Sequence, residues 1–289
     1  MSDFMRHNGG KSSFSTADSW VILSPIEQSI KRKIEAVGVP LKNWDIQINY
    51  GIKTGYNEAF IITTEQRNDI LNSCANEDER TRTDALIRPI LRGRDIKRYG
   101  YEWADLWLIN SHNGIKGKLE RIHIEDYPAV KTHLDQYWDK ISTRADKGDT
   151  PYNLRNCAYL DDFNKTQIVW LELTDLPKFS LVKNMVSLNT VFFMTGEHLN
   201  HIIGFLNSTV ITWYFHNCLG ARSGAGTNRW LKYTIEQLPI PPVSDMIANI
   251  VGDRNITTKS ESDNINEVCM DIFTLNEYEK AVVRSFVVK

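Results

Sequence analysis

The most apolar run in the chain, IIGFLNSTVITWYF at 202–215, sets the first constraint on its fold. It is too short to cross a bilayer and is interrupted by Asn207, Ser208 and Thr209, so its large side chains need a protein interior. It reads as a buried helix. A chain of 289 residues with 42% hydrophobic content can surround such a helix with a sizeable core, as one large domain or one domain with an appendage.

The segments that would supply that core carry both periodicities. Ser24 followed by Pro25, with Ile26, Ile30 and Ile34 four apart and Gly38 beyond, predicts a capped helix. WDIQINYG alternates through Trp44, Ile46, Ile48 and Tyr50, the period of a half-buried strand. AFIIT follows as a returning strand, which makes the intervening GIKTGYN a hairpin turn. DLWLINS, TQIVWLEL and VSLNTVFFMTG read as further strands. EDYPAVKTHLDQYWDKIST reads as a helix with Val130, Leu134, Tyr137 and Ile141 inward, and GEHLNHIIGFLNSTVITWYFHN as another. LPIPP (238–242) predicts a rigid connector that continues neither helix nor sheet.

Beyond it, SDMIANIVGDRNITTKSESDN reads as a polar linker with one short helix, and INEVCMDIFTLNEYEKAVVRSFVV as a C-terminal helix, or two joined near Thr274. There is no internal repeat and no regular βαβ alternation, so the expected class is α+β with a mixed sheet and a C-terminal helical segment. The expected organisation is a disordered lead-in over 1–18, a main domain over 19–243, and a linker with helical tail over 244–289.

Charge narrows the function. The 34 Lys and Arg nearly cancel 36 Asp and Glu, which argues against a uniformly basic nucleic-acid binder but leaves room for a basic face. Three groups fit such a face. Arg92, Arg94, Lys97 and Arg98 stand beside tyrosines and suit phosphates and guanine edges. Arg222, Arg229 and Lys232 lie in a glycine-rich stretch with no acid between His216 and Glu236. Lys53, Thr54 and Asn57 add a cation and two neutral hydrogen-bonders. A charge-rich loop is also, as often, a solvated face. The four cysteines form no Cys-x-x-Cys pair, and no export or membrane signal stands out, which points to a reducing cytoplasm.

Catalytic patterns are largely missing. GARSGAG has part of a dinucleotide fingerprint, but Arg229 stands where the last glycine should be when counted from Gly224. GIKTG lacks the spacing and ending of a P-loop. IPPV lacks the Asn or Asp before, and the aromatic after, that an amino-methyltransferase motif requires. The seven histidines form no ligand set. Asp84 followed by Asp95-Ile96-Lys97 fits a loose nuclease pattern, in which two carboxylates hold a metal and the lysine assists water.

The ordered series GIKTGYNEAFII, LIRPILRGRDIKRYGYEW, PYNLRNCAYL, TQIVWLEL, LNTVFF and LKYTIEQLPIPP resembles the TaqI-like C-terminal specificity domain, from about Trp20 to the C-terminus. That domain is the target-recognition part of type II restriction–modification enzymes and their adenine-specific DNA methyltransferases. The resemblance implies double-stranded DNA as partner. It also implies a methyltransferase, and in many members a nuclease, on another domain or subunit, with S-adenosylmethionine bound there and no cofactor here. GIKTGYNEAF is then a reading loop. The alternatives are a metal-dependent nuclease using Asp84, Asp95 and Lys97, and a protein–protein adaptor that docks on a methyltransferase.

Overall fold

The computed structural model describes residues 23–174, 176–219, 228–252 and 258–286. The expected lead-in at 1–18 lies outside them. The chain divides into two compact units, one made of Ile46–Glu172 and Lys178–Leu199, the other of Met1–Asp45, Leu173–Pro177 and Asn200–Lys289.

In the first unit the strands of the two larger sheets are β1 (Ile46–Tyr50), β2 (Ile61–Thr63), β3 (Ile87–Leu91), β4 (Leu106–Ile109), β5 (Thr166–Leu171), β6 (Ser180–Lys183), β7 (Val186–Ser187) and β8 (Val191–Gly196). They form two four-stranded sheets. One has the order β6-β5-β8-β1, antiparallel throughout. The other has the order β7-β3-β4-β2, with β7 parallel to β3 and the rest antiparallel. Helices α1 (Thr64–Asn72), α2 (Glu77–Leu86) and α3 (Pro128–Asp135) belong to this unit. Apolar residues from both sheets and from α3 share one core, in which the rings of Phe163 and Phe193 lie 4.7 Å apart and are fully covered. A buried side chain of that size contributes about 1.5–3 kcal/mol, so this cluster dominates the unit's stability.

The second unit is mostly helical. Its first described helix, Pro25–Val37, follows the sequence: Ser24 Oγ accepts from the Glu27 amide and Glu27 accepts from the Ser24 amide, closing a capping box, and Gly38 ends the helix. The long run at 202–215 is divided between helices Leu199–Leu206 and Thr209–Cys218. Ser208 is the reason, because its Oγ accepts from the Ile211 amide and starts a new helix. The tail forms helices Lys259–Ile272 and Glu277–Arg284, joined at Thr274, whose φ of 55° breaks the helical path. Phe205 meets Phe273 edge-on at 5.6 Å, and Trp230 stacks on Phe215 at 3.8 Å.

The α+β class holds, with two mixed or antiparallel sheets in one unit. Two further local expectations fail, and one strand goes beyond the sequence reading. GIKTGYN is not a hairpin: β1 pairs with β8 and β2 pairs with β4, so this loop joins the two sheets. The LPIPP connector does enter a sheet, since Pro239–Ile240 pairs with Val39–Pro40 in a ladder of two residues, short enough for proline to supply its carbonyl without a missing donor. LIRPIL, read only as part of a basic block, is strand β3; Pro89 fits because the β7 ladder starts beyond it, at Ile90.

Candidate nucleic-acid interface

The linking loop is held by its backbone. A Cβ on Gly51 would lie 2.2 Å from the Ser187 carbonyl, so only glycine admits the approach. Gly55 has φ of 73°, the left-handed region that glycine tolerates. The buried guanidinium of Arg144 donates to the carbonyls of Thr54 (2.6 Å), Asn153 (2.5 Å) and Pro151 (3.1 Å), and lies 4.2 Å over the Phe60 ring. Burial pushes its pKa down to about 10, which leaves it charged at neutral pH.

That scaffold decides which of the three predicted residues face outward. Thr54 is only 2% exposed and its Oγ1 donates to Asn57 Oδ1 at 2.6 Å, so Thr54 is structural. Asn57 is exposed at the start of a short helix, and Lys53 is exposed but pairs with Asp146 at 2.7 Å. Asp146 also pairs with Arg155 at 3.3 Å, and the hydrogen bond from Lys53 holds its carboxyl below the usual carboxylate range. Two cations thus share one acid. Sequence reading missed Arg155, although it lies in the PYNLRN stretch.

The second group sits on a tight hairpin. Ile96 pairs with Tyr101 and Lys97 with Gly100, leaving Arg98 and Tyr99 at the turn. Tyr99 adopts φ of 62° and is 4% exposed, with its amide donating to the Phe179 carbonyl at 2.8 Å. The buried ring anchors the turn and the Arg98 guanidinium lies 5.4 Å over it. Arg94, Lys97 and Arg98 are exposed; Lys97 shares an exposed pair with Glu102 at 3.2 Å. Arg92 differs. Its guanidinium grips Asp95 through Nε (3.1 Å) and Nη2 (2.8 Å), which closes the short turn between β3 and the hairpin.

Both groups border one turn. The Ile52 amide donates to Ser187 O and the Asn189 amide to Ile52 O, while the Leu188 amide donates to Leu91 O. The chain at 51–52 and at 91 therefore flanks the turn between β7 and β8. The third group lies in the other unit. Arg229 is exposed in a two-residue ladder with Leu173, and Lys232 reaches Glu236 at 3.7 Å. Arg222 lies outside the described residues.

A further basic feature escaped the sequence reading. Ile115 and Leu119 exchange backbone hydrogen bonds, so HNGIKGKLER forms a hairpin tip with Lys116 and Lys118 exposed, Gly114 and Gly117 taking φ of 72° and 75°. It borders an open cavity of about 870 Å³ with Arg121 and Asn156 on its wall. Glycines on either side of a lysine were the available signal. The nuclease carboxylates are otherwise engaged, Asp84 with Arg67 and Asp95 with Arg92. Among the described residues no group of three or more His, Cys, Asp or Glu is placed to hold a metal.

Residues 88–240, more than half of the chain, match the TaqI-like C-terminal specificity domain. The chain belongs to that family. The match takes in the hairpin of Arg94 to Arg98, the HNGIKGKLER tip and the segment through Lys232. Two solved structures share the fold. One is the type IIL restriction-modification enzyme MmeI in complex with DNA, with a TM-score of 0.55 at 13% identity, covering 86% of this chain and 35% of that one. The other is the type IIG restriction endonuclease BpuSI, with a TM-score of 0.50 at 12% identity, covering 89% of this chain and 33% of that one. This specificity-domain chain therefore spans about a third of the length of either enzyme. No described helix is long and apolar enough to cross a membrane.

Proposed function

We propose that this chain is the sequence-recognition module of a restriction–modification system, which grips duplex DNA and presents it to an adenine-specific methyltransferase, an endonuclease, or both. The modifying activity and its S-adenosylmethionine belong to another domain or subunit in this reading. The observation that carries it is the row of exposed cations formed by Arg94 on the short turn and Lys97 and Arg98 on the hairpin that follows, which the buried Tyr99 anchors to a specificity-domain fold. Exposed cations on a rigid turn supply the phosphate contacts that fix register, and forked guanidinium groups can also read guanine edges in the major groove.

The test is selection of bound duplexes from a pool with a randomised core, using the full chain. Enrichment of one short site supports a reader. Retention of duplex without enrichment of any sequence, or no retention at low salt, refutes it.

A further inference from the structure

The β3–β4 pair borders a second cavity. Arg88 lies opposite Leu108 in the ladder, and just beyond the strand ends the Asn110 amide donates to the Leu86 carbonyl at 3.2 Å, which brings Leu86, Arg88 and Asn110 together. They line a cavity of about 360 Å³, the size of a small-ligand site, with Tyr127 and Phe163 among its walls. Its polar groups are incomplete. Arg88 is half-buried and makes no ion pair among the described residues; burial alone holds its proton affinity below that of a solvated guanidinium. Asn110 is 9% exposed and its Oδ1 has no donor. His112 Nδ1 accepts from the Gly114 amide at 3.2 Å, and burial lowers its pKa, so a neutral ring with its proton on Nε2 borders the same space.

A half-buried cation without an ion-pair partner, a buried acceptor without a donor, and the ring of Tyr127 are met together by few chemical classes. We propose that this cavity binds a nucleotide, with the phosphate on Arg88, a base N–H on Asn110 Oδ1 and the flat ring against Tyr127. The nucleotide is either free in solution or swung out of a strand. Arg82, also on its wall, is steadied by donation to the Asp126 carbonyl at 3.1 Å, and the lining Asp161 is neutralised by Lys118. The inference stands on the cavity's own lining and does not depend on duplex reading.

Calorimetric titration of the full chain with dAMP, deoxyadenosine and inorganic phosphate tests it, with Arg88→Met and Asn110→Leu checked for retained melting. Saturable one-to-one binding of dAMP is expected. Arg88→Met should weaken dAMP about tenfold or more and leave deoxyadenosine nearly unchanged, while Asn110→Leu should weaken both by a similar factor. No saturable dAMP binding by the folded chain, equal affinity for phosphate alone, or two folded variants that bind as the parent does would each overturn it. Competition by a duplex carrying one unpaired adenosine, and not by its fully paired counterpart, would assign the nucleotide to a strand; lack of competition by both would assign it to the free pool. Failure of the mononucleotide leaves the duplex selection standing, and the converse also holds.

Discussion

Replacing Arg94, Lys97 and Arg98 together by glutamine should flatten the salt dependence of duplex binding. The structure sets the count. Arg92 is excluded because it closes on Asp95, whereas the other three are exposed and Lys97 has only a rim pair with Glu102, which a phosphate can replace at little cost. Each phosphate neutralised contributes about −0.9 to the slope of log K against log salt, so three contacts contribute about −2.7. Between 50 and 200 mM salt that is roughly a 40-fold loss of affinity in the parent, absent from the variant. Fluorescence anisotropy with a labelled duplex reads both slopes, and Lys116→Gln with Lys118→Gln serves as a comparison on the other hairpin. Glutamine stays polar and solvated at these exposed positions, and Tyr99 rather than the cations anchors the turn, so the variant should melt with the parent. An unchanged slope in a variant that still binds would show that this hairpin does not touch phosphates, and the reasoning from exposure would be refuted.

Arg144→Met should destabilise the first unit by about 3–5 kcal/mol in denaturant unfolding, since three carbonyls lose a charged donor; a loss under 1 kcal/mol would mean the loop holds itself. Glu279 is buried, which raises its pKa, but hydrogen bonds from Lys33, the Asn276 amide and Ser29 overcome this and leave it depressed. Its stabilisation is therefore present above the unfolded glutamate pKa and lost as pH falls through the lower folded value. Glu279→Gln should cost about 1–3 kcal/mol at pH 7, a gap that closes in acid, measured by melting across pH. Burial pushes the Cys157 thiol up to about 11, so at pH 8 its alkylation should run about 100-fold slower than that of an ordinary thiol and rise with pH, read by mass spectrometry of the labelled peptide.

Local chemistry explains why some of this fold was legible. Ser24, Pro25 and Gly38 act within a few residues of one another, so the first helix could be placed from sequence. The strands over 46–50 and 166–171 announced themselves by composition and alternation. Pairing is a different matter. Whether β1 turns back on β2 depends on what else offers an edge, and β8, lying far along the chain, supplies it, with Gly51 set against Ser187 to fix the crossing. The two-residue ladder of Pro239 with Pro40 is likewise invisible locally, because a proline carbonyl accepts as well as any other once a partner strand arrives.

The same division runs through the cations. Sequence reading scores a lysine or arginine by its neighbours in the chain, yet its availability is set by the acid or carbonyl that the fold brings to it. Arg92 and Arg94 are two residues apart, and one is spent on a turn while the other faces solvent. Arg144, which the sequence does not single out, is the buried clamp of the linking loop, and Arg88, a few residues before the cations of the hairpin segment, lines a cavity instead. Composition could place charge in these segments, but only strand parity and the reach of Asp95, Asp146 and Glu102 sort it into turn closure, cavity lining and outward face. A specificity domain that presents a few cations in fixed positions has reason to tie down the others, and acids that help cancel the net charge, Asp146 for Lys53 and Asp95 for Arg92, are the groups that do so.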